Sequence, residues 1–271
     1  MEQRTEITNS SISPALPRQR IWELDFIRGL CVALMILDHL FYDLGFVFPQ
    51  QWFADGGSGI IYDICYFARN FYWDWPVRHI IRVMVLAGFI GSCGISCSLS
   101  RSNLKRGLKL LAVALALSGA TALMDLIMDQ QSFFISFGVL HMLALSMLAY
   151  AGLSRFGPWP SLVLGAAILV ASLFVGPESC SGGGFILFAL GMGSEGFSAD
   201  YFPLIPYLGW FLIGAVLGGW LYREKRSFFP KHGHGKALKP FMWLGRHALL
   251  LYILHQPAIY LILLLLGKIF A

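Results

Sequence analysis

Charge is scarce in this sequence: of 271 residues only 13% are Asp, Glu, Lys or Arg, while 57% are hydrophobic. A soluble domain carries about twice that charged fraction, so the shortage excludes an ordinary water-exposed surface and points to an integral membrane protein whose first partner is the lipid bilayer. Cysteine is scarce too, and the five present lack metal-ligand spacing, so no metal is expected. Neither a solenoid period nor an inverted repeat of the transporter kind is present. No small-residue cleavage site follows the first apolar run. That run is therefore read as a start-transfer helix that stays, behind a polar cytoplasmic tail at residues 1–20 that carries Arg4, Arg18 and Arg20. The formal charge of +5 sits in short basic clusters beside apolar stretches, which sets membrane orientation and argues against a nucleic-acid partner.

What the chain has instead is long apolar runs. Residues 21–271 are expected to form one all-α polytopic bundle of about seven transmembrane helices, at roughly 26–48, 79–99, 107–127, 133–153, 161–175, 204–222 and 241–266. The fifth is short, since about 20 residues are needed to cross a ~30 Å hydrocarbon core. Arg101, Lys105 and Arg106, then Arg155, then the run from Arg223 to Lys239 fall in alternate loops, and the loops between them lack Lys and Arg. The positive-inside rule then puts the N-terminus inside and, with seven spans, the C-terminus outside. The basic run itself reads as a solvated connector, or as a site for acidic lipid or a phosphorylated cofactor.

The first outer loop departs from the pattern. It holds Arg69 and Arg78 beside Asp55, Asp63 and Asp74, with Trp52, Tyr62, Tyr66, Phe67, Tyr72, Trp73 and Trp75. It reads either as an interfacial aromatic belt or as a lid that meets a polar substrate by stacking and charge. Gly182–Gly184 marks flexibility in the other long outer loop. Cys65 and Cys180 lie in these two loops. They are either bridged, if that side is oxidising, or two thiols that never meet.

Ionisable groups inside the spans carry the functional signal, because each is costly in lipid unless it faces protein or water. Asp38, His39 and Asp43 lie in the first span. At ~1.5 Å per residue, His39 and His255 each lie about 20 Å from the inner edge and His141 about 12 Å from the outer edge, so three histidines on three helices share one level. Asp43, one turn from His39, is expected to hydrogen-bond that ring and make it a general base; Asp125 lies near the same level. Pro257 frees the Ile253 carbonyl close by. Against this stands the plain alternative, a histidine that bridges helices structurally. At the inner face Glu23, Asp25, Arg28, Arg246 and His247 gather. Arg28 either pairs with Asp25 or, with Arg246, grips a phosphate-bearing donor. Ser92, Ser96 and Ser98 with Gly88, Gly91 and Gly94 give the second helix a small-residue packing face.

The motifs Leu24-Asp-Phe-Ile-Arg-Gly-Leu-Cys-Val-Ala-Leu-Met-Ile-Leu-Asp-His39, the run 89–100, Phe137-Gly-Val-Leu-His141, Tyr201–Trp210 and Leu244-Gly-Arg-His-Ala-Leu-Leu-Leu-Tyr-Ile-Leu-His-Gln-Pro257 resemble bacterial proteins of the heparan-alpha-glucosaminide N-acetyltransferase catalytic-domain family. The resemblance runs over nearly the whole chain after the tail. It implies a membrane acyltransferase of the bacterial inner membrane. An acetyl or other acyl group would pass from a cytoplasmic acyl-CoA such as acetyl-CoA to a saccharide or glycolipid acceptor on the outer side. A membrane histidine would act as general base or transient acyl carrier. In the family that histidine follows the first helix; here residues 49–78 hold none, so the role falls to His39 or His79. The catalytic set expected is thus His39, Asp43, His141 and His255, with Arg28, Arg246 and His247 for the donor. Two rivals from other classes are a proton-coupled small-solute transporter, in which the same groups relay protons, and a non-catalytic membrane scaffold.

Overall fold

The computed structural model describes residues 21–53, 56–129, 132–176, 179–180, 183–230 and 235–270. The expected tail at 1–20, with Asp55, Gly182 and Lys231, lies outside them. The described chain is helical: α1 (Trp22–Tyr42), α2 (Pro49–Trp52), α3 (Ile60–Phe67), α4 (Pro76–Ser98), α5 (Asn103–Met128), α6 (Val139–Leu153), α7 (Trp159–Ala171), α8 (Gly184–Leu190), α9 (Leu204–Leu221), α10 (Lys239–Arg246) and α11 (Ala248–Phe270). α4, α7 and α10 each open with a proline in the first turn, where its missing N–H costs nothing.

Six of these helices, not seven, are long and apolar enough to cross a membrane: α1 with its extension to Trp52, α4, α5, α6, α9 and α11. The fifth expected span is α7, whose 13 residues reach only about 20 Å. α1 and α11 run side by side in the same direction, as His39 against His255 and Phe48 against Tyr260 show. The start of α1 and the end of α11 therefore lie at opposite ends of the bundle.

Small residues set the helix spacing. A Cβ on Gly29 would overlap the Phe241 carbonyl oxygen, and one on Gly245 would overlap that of Asp25, so α1 and α10 cross at backbone contact. The small-residue face expected on α4 does pack: a Cβ on Gly94 would strike the Phe211 carbonyl, and Gly214 of α9 lies on Gly91. In lipid, such close approach replaces the hydrophobic drive that holds soluble helices together. The main core lies between α4, α5, α6 and α9 around Ile90, Met142, Phe211 and Leu212, all fully buried.

Beyond Tyr42 the helix widens into a π-type turn at Asp43–Val47, and a second such turn follows α3 at Ala68–Tyr72. Gly45 allows the two to touch, because any side chain there would press on the Ala68–Arg69 backbone. The aromatic segment of the first long loop is thereby fixed against the end of α1. Cys65 is buried in α3, and Cys65 and Cys180 are both free thiols rather than a bridge.

Candidate functional site

Two rungs join α1 to α11. On the first, the rings of His39 and His255 meet edge to face with centroids 4.8 Å apart. On the second, one turn along α1, Asp43 accepts two hydrogen bonds from the Gln256 amide at 3.1 and 3.0 Å. Residues 39 and 43 share a helix face at i, i+4, and 255 and 256 are neighbours on α11, so the sequence spacing aligns both rungs at once.

The tautomers follow from the partners. His39 Nδ1 lies 2.9 Å from the Met35 carbonyl oxygen, and His255 Nδ1 lies 2.7 Å from that of Tyr252 and 3.2 Å from that of Leu251. A carbonyl only accepts, so each Nδ1 carries the proton and each Nε2 keeps its lone pair. His255 Nε2 is buried and has no hydrogen-bond partner among the described residues. This pair can receive protons. The hydrogen bond expected between Asp43 and His39 is not formed: the Met35 carbonyl orients His39, and Asp43 is turned to Gln256.

His141 is built the other way round. The Gly138 amide donates to its Nδ1 at 3.3 Å, and its Nε2 lies 3.3 Å from the Ser118 hydroxyl. Both nitrogens are engaged, and the ring stacks on Phe137 at 5.7 Å. This histidine holds the start of α6. Asp125 likewise serves the chain rather than the site, since its carboxylate accepts the amides of Ser132, Phe133 and Phe134. His79 is exposed on α4.

Beside the histidine pair is an ion pair that spacing could not reveal. Arg78 is buried and clasps Asp38 in a fork, with N–O distances of 2.8 and 3.0 Å. Tyr72 donates to the same carboxylate at 3.0 Å, and the guanidinium lies 3.6 Å from the centre of the Trp73 ring. The Tyr72 hydroxyl is pushed above its usual pKa, first by burial and then by the Asp38 charge. Charge and stacking thus fasten the aromatic segment to α1 next to His39.

A residue not anticipated closes the opposite flank. Asp200, in the segment between α8 and α9, accepts the Tyr252 hydroxyl and the Val139 amide, the latter at 2.9 Å. Burial pushes its carboxyl up, while the Tyr252 hydroxyl, the Val139 amide and the charges of His39 and His141 pull it back. The one signal available in the sequence was its place immediately before the Tyr201–Trp210 motif.

At the other end of the bundle Arg28 and Arg246 converge on Asp25, at 3.6 and 3.4 Å. Arg28 also donates to Ser96 Oγ, and its Nε is buried without a hydrogen-bond partner among the described residues. His247 stands apart, exposed, with Nδ1 on the Trp243 carbonyl at 2.9 Å. Eleven residues separate Arg28 from His39, about 17 Å along α1. No group of three or more His, Cys, Asp or Glu that could hold a metal occurs among the described residues.

The family model described as Heparan-alpha-glucosaminide N-acetyltransferase, catalytic, matches residues 20–62 and 58–257. No curated protein and no solved structure matches the chain at a significant level.

Proposed function

The chain belongs to the heparan-alpha-glucosaminide N-acetyltransferase catalytic family, and from that premise we propose that it moves an acetyl group from acetyl-CoA to a saccharide amine or hydroxyl across a membrane. The N-terminal end of α1 faces the cytoplasm in this reading, and the membrane is the bacterial inner membrane. Arg28 and Arg246 receive the phosphates of the donor, for which guanidinium forks are suited. The acyl end reaches the histidine pair, and the acceptor enters from the far side beneath the aromatic segment.

His39 is the general base, being the more exposed of the pair. Its Nε2 takes the proton from the acceptor as the nitrogen or oxygen attacks the thioester carbonyl. The carbon–sulfur bond then breaks, and the departing thiolate takes that proton from Nε2. His255 lies against the base and limits the space around it; His141 shapes the wall. Asp43 holds the second rung through Gln256.

The observation that carries this reading is the pair of touching imidazoles whose Nδ1 protons are tied to carbonyls and whose Nε2 lone pairs are open. The test is saturable binding of acetyl-CoA to the purified protein, followed by transfer of radiolabelled acetyl to glucosamine. Binding lost in Arg28→Ala and transfer lost in His39→Ala support the proposal. No binding of any acyl-CoA, with solute flux in proteoliposomes instead, replaces it with a transporter.

A further inference from the structure

Asp200, in the segment between α8 and α9, is bound to Tyr252 and to the start of α6, and the segment is held there firmly. The Ala199 amide donates to the Phe134 carbonyl at 2.9 Å, and Ser198 Oγ bridges the Phe137 amide and the Asp200 carbonyl at 3.2 and 3.0 Å. Tyr201 stacks on Phe188 at 4.4 Å and donates to its carbonyl at 2.7 Å. Gly138 is part of the same fit, since a Cβ there would overlap the Asp200 carboxylate. An acidic side chain is costly in such surroundings unless its bonds are specific.

Tyr252 links this carboxylate to the pair. Its hydroxyl is bound by Asp200, and its carbonyl accepts the Nδ1 proton of His255. One residue therefore touches both groups. We propose that Asp200 is the positioning carboxylate of His255: it fixes Tyr252, and through it the turn of α11 that orients the His255 ring against His39. This rests on the acetyltransferase reading for its catalytic meaning but not for its geometry.

The charged groups facing the pair come from several elements. Asp43 and the Asp38–Arg78 couple flank His39 on α1. His141 of α6 and Tyr207 of α9 face Asp200, and Arg82 of α4 faces Tyr207. Arg78 already neutralises Asp38. Asp43 reaches the same turn of α11 through Gln256, the neighbour of His255, whereas Asp200 reaches it through Tyr252, whose carbonyl itself accepts the His255 Nδ1 proton.

The test is nitrogen NMR of the full chain in nanodiscs, with histidine rings labelled and assigned by single substitution. Wild type is compared with Asp200→Asn, Asp200→Glu and Tyr252→Phe. Asp200→Asn is expected to broaden or shift the His255 Nδ1 signal. His79 keeps its wild-type signal, and Asp200→Glu brings the His255 signal part of the way back. Tyr252→Phe removes a single hydroxyl and is expected to move the His255 signal in a folded protein. Where transfer is measurable, kcat falls about tenfold in Asp200→Asn with KM for acetyl-CoA unchanged. An unaltered His255 signal in both Asp200→Asn and Tyr252→Phe would overturn the proposal, whether or not the wild type transfers acetyl groups.

Discussion

Two buried histidines, His141 at the start of α6 and His255 in the middle of α11, differ in what the backbone offers them. An amide N–H points at His141 Nδ1 and a hydroxyl sits at its Nε2. Carbonyl oxygens point at His255 Nδ1 and nothing described meets its Nε2. At a helix start the first amides are unpaired and seek an acceptor, so a histidine at the third position becomes a cap. In mid-helix the free bonding surface of the preceding turn is carbonyl oxygen, so the ring must donate and its far nitrogen faces the helix–helix space. Position along the helix thus decides which histidine is structural and which is open.

The largest effect that sharpens this contrast is on activity. His39→Ala should lower acetyl transfer by about 10²–10⁴-fold, the usual contribution of a general base, with thermal stability near wild type. Next comes a group with every bond made. Arg78→Ala leaves the Asp38 carboxylate with the Tyr72 hydroxyl but no counter-charge, and a cost of about 1–3 kcal/mol is expected, seen as a loss of folded protein in a detergent melting assay. His141→Ala should strip partners from the Gly138 amide and Ser118, at about 1–3 kcal/mol, lowering Tm while the surviving protein retains its kcat. A large loss of kcat at unchanged Tm would break the contrast. The smallest effect is expected from Asp43→Asn, which keeps an acceptor for Gln256. It should cost under about 1 kcal/mol and change transfer by no more than roughly threefold. A loss as deep as that of His39→Ala would return Asp43 to the role of orienting the base.

The level of a residue along the bundle was legible in the sequence, and rotation about the helix axis was not. A fixed rise per residue put His39 and His255 at one level, and their rings do touch. The same arithmetic placed His141 beside them, but its ring turns into the α5–α6 junction, where Ser118 waits. Asp43 was rightly set one turn from His39. What spacing could not show was that Gln256, the neighbour of His255, would claim it. Arg78 stands in the first turn of α4, just before the expected second span, and Asp200 in a loop; only the folded chain brings them to Asp38 and Tyr252. The arginine cluster on Asp25 was readable, since Arg28 is three residues away and Arg246 follows the glycine that lets α10 reach α1. The expected count of about seven exceeds by one the six helices long enough to cross, and the difference is α7, the span whose shortness the sequence already showed.

The most direct measurement is transfer of radiolabelled acetyl from acetyl-CoA to glucosamine by the purified protein in proteoliposomes, for wild type, His39→Ala and His141→Ala side by side. Transfer by wild type and His141→Ala but not by His39→Ala is expected. Equal transfer by His39→Ala, or transfer lost only in His141→Ala, would contradict the assignment of the open pair as the reacting site.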